Sequence, residues 1–530
     1  MKRFAIAFFA LALLGTAVPG FARSHKGKQK TPAPPAASAK QSVTQGSVTV
    51  EGDHINYKAI AGVMIIKNDK GKPYTSMSYF AYLKKGVKNA TDRPITFFYN
   101  GGPGSSTVWL HMLAYGPKIA VVGNGTLTPP APYKFVNNDY SLLDATDEVF
   151  IDAPGTGYGR VLGKDKGGVG KPKDVYGLEP DAKAFTRFIT QYITNHSRWN
   201  SPKFLYGESY GTTRSAVLAG DLENRDVYLN GIILQSSILN FDISVDGPKG
   251  NPWVNIAYAT GLPSYAATAW YHKKLPNQAG AAGTTNQAAE SKQLLPFLKK
   301  VEHFAMNDYL LALDKGNLIS AADKKQIAET MHQYTGLPVA YIMKDNLKVS
   351  GGQFAHELLG DSDDVTGRLD SRYSGPAMDP MSERAYYDPL DSAIDAPTVS
   401  LFNDYVRNTL DFGKGMVYRP EIYGSMHWSW KHHGRSGTPN VMNDLAQAMK
   451  MNPNLKVLLT GGYMDLGTPF YGAEYEMHQL PISEKLQKNI SYKFFQSGHM
   501  VYVNPKAHKG LHDASAKFIE ANSGKQQSSK

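Results

Sequence analysis

Short apolar segments alternate with amphipathic ones over two parts of the chain. Apolar or alternating segments of strand length occur at 60–68, 74–83, 95–99, 147–153, 203–206, 231–234, 456–460 and 490–496. The first two can pair as a hairpin across the turn residues 70–73. Helical spacing occurs at 179–194 and 214–221. Alternation of strands and helices predicts an α/β fold with a mainly parallel central sheet.

This rhythm stops in the middle of the chain and then resumes. Residues 239–451 contain helical patterns, such as 294–314 and 321–333, and irregular stretches rich in Gly and Asp. We therefore predict an α/β core formed by 47–238 and 452–523, with 239–451 inserted as a mostly helical cap.

The N-terminus has the pattern of an export signal. Lys2 and Arg3 precede 15 apolar residues at 4–18, and small residues permit cleavage after Ala22. The alternative is a membrane anchor, but the stretch is shorter than the roughly 20 residues that a spanning helix needs. We predict a signal peptide at 1–22, a mature chain without a stable membrane span, and a periplasmic or extracellular location.

Most of the net positive charge of the chain lies in its terminal segments rather than in its body. Residues 23–46 are rich in Lys, Pro and Ala, and we predict a disordered linker there and a disordered tail at 524–530. The net charge is +11, but nine of these charges lie at residues 2, 3, 23–46, 525 and 530. The nearly neutral body argues against a nucleic-acid partner. The chain has no cysteine, which excludes disulfides and thiolate chemistry.

The run 207–211 reads G-E-S-Y-G and fits the G-x-S-x-G pattern. A strand-like segment precedes it and a helix-like segment follows, as a nucleophile elbow requires. The flanking glycines permit the sharp turn that exposes the serine. We predict that Ser209 is a nucleophile.

A serine nucleophile needs a base and an acid that orients the base. Asp465 and His499 follow the last two predicted strands, in the order Ser, Asp, His that is typical of α/β-hydrolases. Asp147, Asp152 and His427 are weaker candidates, because two precede Ser209 and one lies in the cap. The predicted triad needs no metal or cofactor.

Acyl transfer also needs N–H donors for the developing oxyanion. The backbone N–H of Tyr210, which follows the nucleophile, is one candidate. The glycine-rich turn at 100–104, after the strand 95–99, offers a second at Gly102.

Four motifs resemble those of the serine carboxypeptidases, peptidase family S10, in an exported bacterial-type member. They are N-G-G-P-G-S-S at 100–106, D-A-P-G-T-G-Y at 152–158, G-E-S-Y-G at 207–211 and G-H-M-V at 498–501. The resemblance implies that Asn100 and Glu208 bind the terminal carboxylate of a peptide substrate. It also implies that Met500 contributes to the leaving-group site, and that Phe98 and Tyr210 shape the acyl-side pocket.

Three departures from the family pattern bear on this interpretation. The family has a second Glu, paired with the elbow Glu, where this chain has Ala114 and Tyr115. Ser105 replaces a cysteine, and residues 212–214 differ from the usual sequence. A Glu binds a carboxylate only when it is protonated, which requires a raised pKa and favours acidic pH.

The sequence thus predicts an exported serine carboxypeptidase of α/β-hydrolase fold that releases C-terminal amino acids through an acyl-enzyme. An esterase or acyltransferase with the same triad is the alternative that the Ala114 departure motivates. A non-catalytic binding module of the same fold is a third hypothesis.

Overall fold

A computed structural model describes residues 38–276 and 287–524. The predicted signal peptide, residues 23–37 of the predicted linker and residues 525–530 lie outside the described residues. The strands are β1 Lys40–Val50, β2 Asp53–Lys67, β3 Pro73–Lys84, β4 Ile95–Tyr99, β5 Lys118–Ala120, β6 Phe135–Asn137, β7 Asp147–Ile151, β8 Lys203–Glu208, β9 Gly231–Gln235, β10 Asp364–Thr366, β11 Ser374–Pro376, β12 Lys456–Gly462 and β13 Ile490–Phe495.

Helices cover both faces of the sheet and fill the middle of the chain. They are α1 Leu178–Asn195, α2 Tyr210–Glu223, α3 Ile256–Tyr271, α4 Gln287–Phe304, α5 Leu310–Asp314, α6 Ala321–Thr335, α7 Val339–Lys344, α8 Gly351–Glu357, α9 Pro389–Asn408, α10 Met442–Met451, α11 Phe470–His478, α12 Glu484–Gln487 and α13 Pro505–Ala521. Within residues 38–276 and 287–524, no helix is both long enough and apolar enough to span a membrane.

Nine strands form one sheet in the order β1-β2-β3-β7-β4-β8-β9-β12-β13. The first three pair antiparallel, and β3 pairs antiparallel with β7. From β7 to β13 every pair is parallel. The predicted α/β-hydrolase fold with a mainly parallel sheet is confirmed. Since β4, β8, β12 and β13 are parallel, the loops after them meet at one edge of the sheet.

Apolar spacing explains how the helices attach to the sheet. On α1, the side chains of Phe185, Phe188, Ile189 and Tyr192 are fully buried. They recur at the three- and four-residue intervals of one helix face. Together with α2 they cover one face of the strands that carry the elbow.

The linker prediction for 23–46 is wrong over its last seven residues. Residues 40–46 belong to β1 and pair antiparallel with residues 57–63 of β2. Their side chains are exposed or half-buried, so the segment lacks the hydrophobic alternation that identifies a strand. Backbone hydrogen bonds to an edge strand hold it instead. A Cβ at position 46 would lie 2.5 Å from the hydroxyl of Tyr57. The packing of Tyr57 against this strand therefore requires glycine at position 46.

Helices α3 to α9 lie between β9 and α10 in the chain. The apolar side chains of α3 to α8 form a cluster of their own, which also includes Met464 and Leu466 from the loop after β12 and Phe470 at the start of α11. Those of α9 pack in the main core instead. The inserted region therefore packs directly on the loop that carries Asp465.

Candidate active site

Ser209 occupies a strained turn between β8 and α2. Its backbone has φ 60° and ψ −130°, a conformation that a non-glycine residue rarely adopts. A Cβ at Gly207 would lie 2.3 Å from the carbonyl oxygen of Gly211, so the turn needs glycine there. Ser209 is half-buried, while Glu208 and Tyr210 on either side are buried. The turn thus lifts one hydroxyl out of a packed sheet.

Asp465 and His499 are in direct contact. The Nδ1 atom of His499 donates to Asp465 Oδ2 at 2.8 Å, and both side chains are almost fully buried. Asp465 Oδ1 accepts from the backbone N–H groups of Gly467 and Thr468, at 2.8 and 2.9 Å. The Thr468 hydroxyl donates to Oδ2 at 2.7 Å. These donors fix the carboxylate, which in turn orients the imidazole with Nε2 free of this contact.

Electrostatics favour the protonated form of His499. Burial lowers the pKa of this imidazole, but the charge and hydrogen bond of Asp465, together with the charge of Glu208, outweigh burial. The net pKa lies above its ordinary value. An imidazole in this setting readily accepts a proton from a neighbouring hydroxyl.

The end of β9 connects the elbow to the histidine loop. The backbone N–H of Ser209 donates to the carbonyl of Gln235 at 3.0 Å. The Ser236 hydroxyl donates to the carbonyl of His499 at 2.6 Å, and Gln235 Nε2 contacts the same carbonyl at 3.3 Å. Two consecutive residues therefore hold the nucleophile and the base on the same strand end.

Asn100 and Glu208 form a buried pair beside Ser209. Asn100 Nδ2 donates to Glu208 Oε1 at 2.6 Å, and Gln235 Nε2 donates to Oε2 at 2.8 Å. The backbone N–H of Leu110 donates to Asn100 Oδ1, which fixes the orientation of the amide. Burial raises the pKa of Glu208 to about 7.

The glycine-rich turn after β4 lies against the start of α2. A Cβ at Gly101 would lie 2.5 Å from the backbone nitrogen of Tyr210, so only glycine permits this approach. Gly102 has φ 105°, which also favours glycine. Helix α2 begins at Tyr210. The unpaired N–H groups and the helix dipole at its N-terminus favour negative charge. This region can stabilise an oxyanion.

A segment of the inserted region covers this turn. The N–H of Ser106 donates to the carbonyl of Pro420 at 2.8 Å, and the N–H of Ile422 donates to the carbonyl of Gly104 at 3.0 Å. Farther along the same segment, the Trp428 and Trp430 rings pack against the ring of Tyr210, with centroids 5.4 and 5.9 Å away.

Two other predicted substrate-binding residues are mainly buried. Phe98 has no exposed surface and stacks between Phe150 and Tyr206, with centroids 4.9 and 5.3 Å away. Phe98 is thus a core residue of β4, a strand that is buried on both faces, and its predicted role in shaping the acyl-side pocket stays a prediction. Met500 directly follows His499 and is 7% exposed.

The weaker acid candidates have structural partners. Asp147 forms ion pairs with Arg93 and Arg198, at 2.8 and 2.7 Å. Asp152 accepts from the hydroxyls of Ser78 and Tyr418. Both carboxylates stabilise connections within the core.

Sequence reasoning missed Gln235, Ser236 and Thr468. Gln235 and Ser236 directly follow a strand predicted at 231–234, and polar residues at the end of a parallel strand are a signal for a site. Thr468 lies three residues after Asp465, a spacing typical of a turn that a carboxylate caps. Both signals were present in the sequence.

Comparisons with known proteins agree with this geometry. The family model for serine carboxypeptidases matches residues 52–509. Serine carboxypeptidase-like 3 of Arabidopsis thaliana is 27% identical over 176 residues, which are 31% of this chain and 36% of that protein. The pheromone-processing carboxypeptidase KEX1 of Saccharomyces cerevisiae is 33% identical over 134 residues, which are 25% of this chain and 17% of that protein.

The sequence matches therefore span little more than a third of these relatives at most, whereas the structural match is broader. The crystal structure of Kex1(delta)p, a prohormone-processing carboxypeptidase from Saccharomyces cerevisiae, superposes with a TM-score of 0.50 at 16% identity. The match covers 87% of this chain and 91% of that chain, and it supports the fold. Since the family model covers most of the sequence, the chain belongs to the serine carboxypeptidase family.

Proposed function

We propose that this protein is a serine carboxypeptidase that releases C-terminal amino acids from peptides. The observation that carries the proposal is the buried pair of Asn100 and Glu208, hydrogen-bonded at 2.6 Å beside the elbow. An amide donor and a protonated carboxyl next to a nucleophile form a binding site for a terminal carboxylate.

In the acylation step, Ser209 Oγ attacks the carbonyl carbon of the last peptide bond. His499 accepts the hydroxyl proton at Nε2, and Asp465 stabilises the resulting imidazolium. The N–H groups of Gly102 and Tyr210 donate to the oxyanion. When the C–N bond breaks, His499 transfers the proton to the leaving amine, and the acyl group stays on Ser209.

In the deacylation step, water replaces the released amino acid. His499 accepts a proton from this water as its oxygen attacks the acyl carbon. Collapse of the second tetrahedral intermediate returns the proton to Ser209 Oγ and frees the shortened peptide. The family resemblance assigns Met500, which directly follows the base, to the leaving-group site.

Acidic pH should favour this activity, because the pKa of Glu208 is raised to about 7. Below this pH the carboxyl can donate a hydrogen bond to a substrate carboxylate; above it, the two charges repel. Export through residues 1–22 to the periplasm or the exterior remains a prediction from the sequence.

An esterase or acyltransferase is the second candidate. The observation that favours it is the lack of a second carboxyl beside Glu208, since this chain has Ala114 and Tyr115 where the family has a second Glu. The hydroxyl of Tyr115 is hydrogen-bonded to the hydroxyl of Tyr206, at 2.9 Å, rather than to Glu208. A site with a single carboxyl has weaker grounds for selecting a free C-terminus.

The deciding experiment compares a free-acid peptide with the same peptide carrying a C-terminal amide. A carboxypeptidase cleaves the free acid with a kcat/KM at least about tenfold higher, since one charged hydrogen bond is worth more than 1.4 kcal/mol. Equal cleavage of both, or cleavage of esters alone, would favour the second candidate. Labelling by a fluorophosphonate, with Ser209→Ala as the control, tests the third possibility, a non-catalytic binding module.

A further inference from the structure

Two adjacent histidines lie where the inserted region meets the core. The rings of His432 and His433 have centroids 3.9 Å apart, in a hairpin closed by reciprocal backbone bonds between residues 432 and 435. Glu179, in the first turn of α1, and Asp444, in the first turn of α10, face them. One ligand atom from each of Glu179, His432 and His433 lies within 4.8 Å of the others.

Asp444 holds both imidazoles through the same ring position. The Nε2 atom of His432 lies 3.0 Å from Asp444 Oδ2, and that of His433 lies 3.1 Å from Oδ1. When each Nε2–H donates to this carboxylate, each Nδ1 carries the free lone pair. A carboxylate behind an imidazole is the usual second layer of a histidine metal site, because it fixes the tautomer and the ring orientation.

The Nδ1 atom of His432 is buried and has no hydrogen-bond partner among the described residues, in a residue that is 8% exposed. Its neighbour is Glu179 Oε1, at 3.6 Å, which is too far for a hydrogen bond. Two ligands of one Zn²⁺ ion, each about 2.0–2.1 Å from the metal, lie about 3.3–3.6 Å apart at ordinary coordination angles. The separation therefore fits two ligands of a shared metal.

A second cluster of similar composition does not have this geometry. Glu51, His512 and Asp513 also come close together, but the ammonium group of Lys509 contacts both carboxylates. The two ring nitrogens of His512 contact Asp144 and Asp513, at 3.1 and 3.2 Å. A lysine here provides the positive charge that a metal would supply, so this cluster is a matched control.

We propose that Glu179, His432 and His433 bind a divalent transition metal such as Zn²⁺, with Asp444 orienting both histidines. Imidazole nitrogens and one carboxylate are the donor set that zinc accepts, with water completing a four-ligand shell. The site lies outside the predicted triad. It attaches the hairpin to α1, and the same segment carries Trp428 and Trp430, which pack on Tyr210. The metal therefore stabilises the segment that covers the elbow.

The test measures metal binding by the full chain after treatment with a chelator and dialysis. Calorimetric titration with Zn²⁺ should show one equivalent bound, and Co²⁺ should give a visible absorption band. His433→Asn removes a ligand whose side chain is 71% exposed, so the fold should persist. This variant and Glu179→Gln should each bind at least about tenfold more weakly. Asp513→Asn, in the control cluster, should bind like the wild type.

Two further measurements sharpen the test. Zn²⁺ should raise the Tm of the wild type and leave that of His433→Asn unchanged, because only a ligand of the native state stabilises it. Affinity should fall between pH 7 and pH 5, since protons compete for the imidazoles. The proposal is overturned if the wild type binds no more Zn²⁺ than His433→Asn, or if Asp513→Asn loses the same affinity.

Discussion

Glu208 is buried between two amide donors and lies next to the nucleophile in the chain. Its pKa of about 7 results mainly from burial, while the charge of His499 opposes the shift. The family's second Glu is therefore not required to keep this carboxyl protonated in mildly acidic solution. Asn100 and Gln235 each donate a hydrogen bond to one oxygen of this carboxyl. The carboxyl proton is then the donor that Glu208 can offer to a substrate carboxylate.

Replacement of Glu208 tests this role through the pH profile. With a free-acid peptide, the ratio of kcat/KM for the wild type to kcat/KM for Glu208→Gln should fall about tenfold between pH 6 and pH 8, as a group with a pKa of about 7 loses its proton. Glu208→Gln retains a donor that does not titrate, and the titration of His499, whose pKa lies above its ordinary value, is common to both proteins and cancels in the ratio. Both proteins should lose activity at low pH, where His499 is protonated.

An ester substrate without a carboxylate provides the control for that experiment. With this ester, kcat/KM should depend on pH above pH 7 in the same way for the wild type and for Glu208→Gln. If wild type and variant lose activity in parallel above pH 7 with the free-acid peptide, Glu208 does not control recognition.

At the scale of the elements, the end of β12 is in close backbone contact with the loop after β13. A Cβ at Gly462 would lie 2.1 Å from the carbonyl oxygen of Ser497 and 2.2 Å from that of Gly498. Backbone atoms cannot move aside as a flexible side chain can. The close approach brings Asp465 within 2.8 Å of His499.

Gly462→Ala should therefore separate the acid from the base. We expect kcat to fall about 100-fold or more, because a displacement near 1 Å misaligns a catalytic group. Gly220→Ala, in α2, is the control: its Cβ would meet nothing within 4 Å. That variant should keep full activity and gain about 0.5–1 kcal/mol of stability. Peptide hydrolysis kinetics and urea unfolding give both values, and an active Gly462→Ala would contradict the argument.

The elements that position the site could be predicted because their cores are continuous apolar runs. The segment predicted at 95–99 is β4 itself, and those at 203–206 and 456–460 begin where β8 and β12 begin. By contrast, β1 was missed because its side chains remain largely exposed. The segment that covers Gly104 and Tyr210 has no hydrophobic period, since it is held by tertiary backbone bonds that leave no local pattern.

For the whole molecule, stability depends on groups far from the nucleophile. Glu148 on β7 is fully buried, and its Oε1 accepts from the Ser141 hydroxyl at 3.2 Å. Its Oε2 has no hydrogen-bond partner within residues 38–276 and 287–524. Burial is the main reason why its pKa lies well above the ordinary value. The folded protein therefore keeps a proton that the unfolded chain loses near pH 4.5.

The contribution of Glu148 to stability must then fall as pH rises above about 4.5, because this group binds its proton in the folded state and loses it in the unfolded state. One such group contributes a slope of about 1.4 kcal/mol per pH unit until its folded pKa is passed. Glu148→Gln cannot ionise, so its stability relative to the wild type should increase as the pH rises above about 4.5, until the raised pKa of Glu148 in the folded state is passed. Reversible urea unfolding at pH 5, 7 and 9 measures this difference. The exposed Glu329→Gln should instead parallel the wild type, and if Glu148→Gln also does so, the carboxyl at Glu148 does not set the pH dependence.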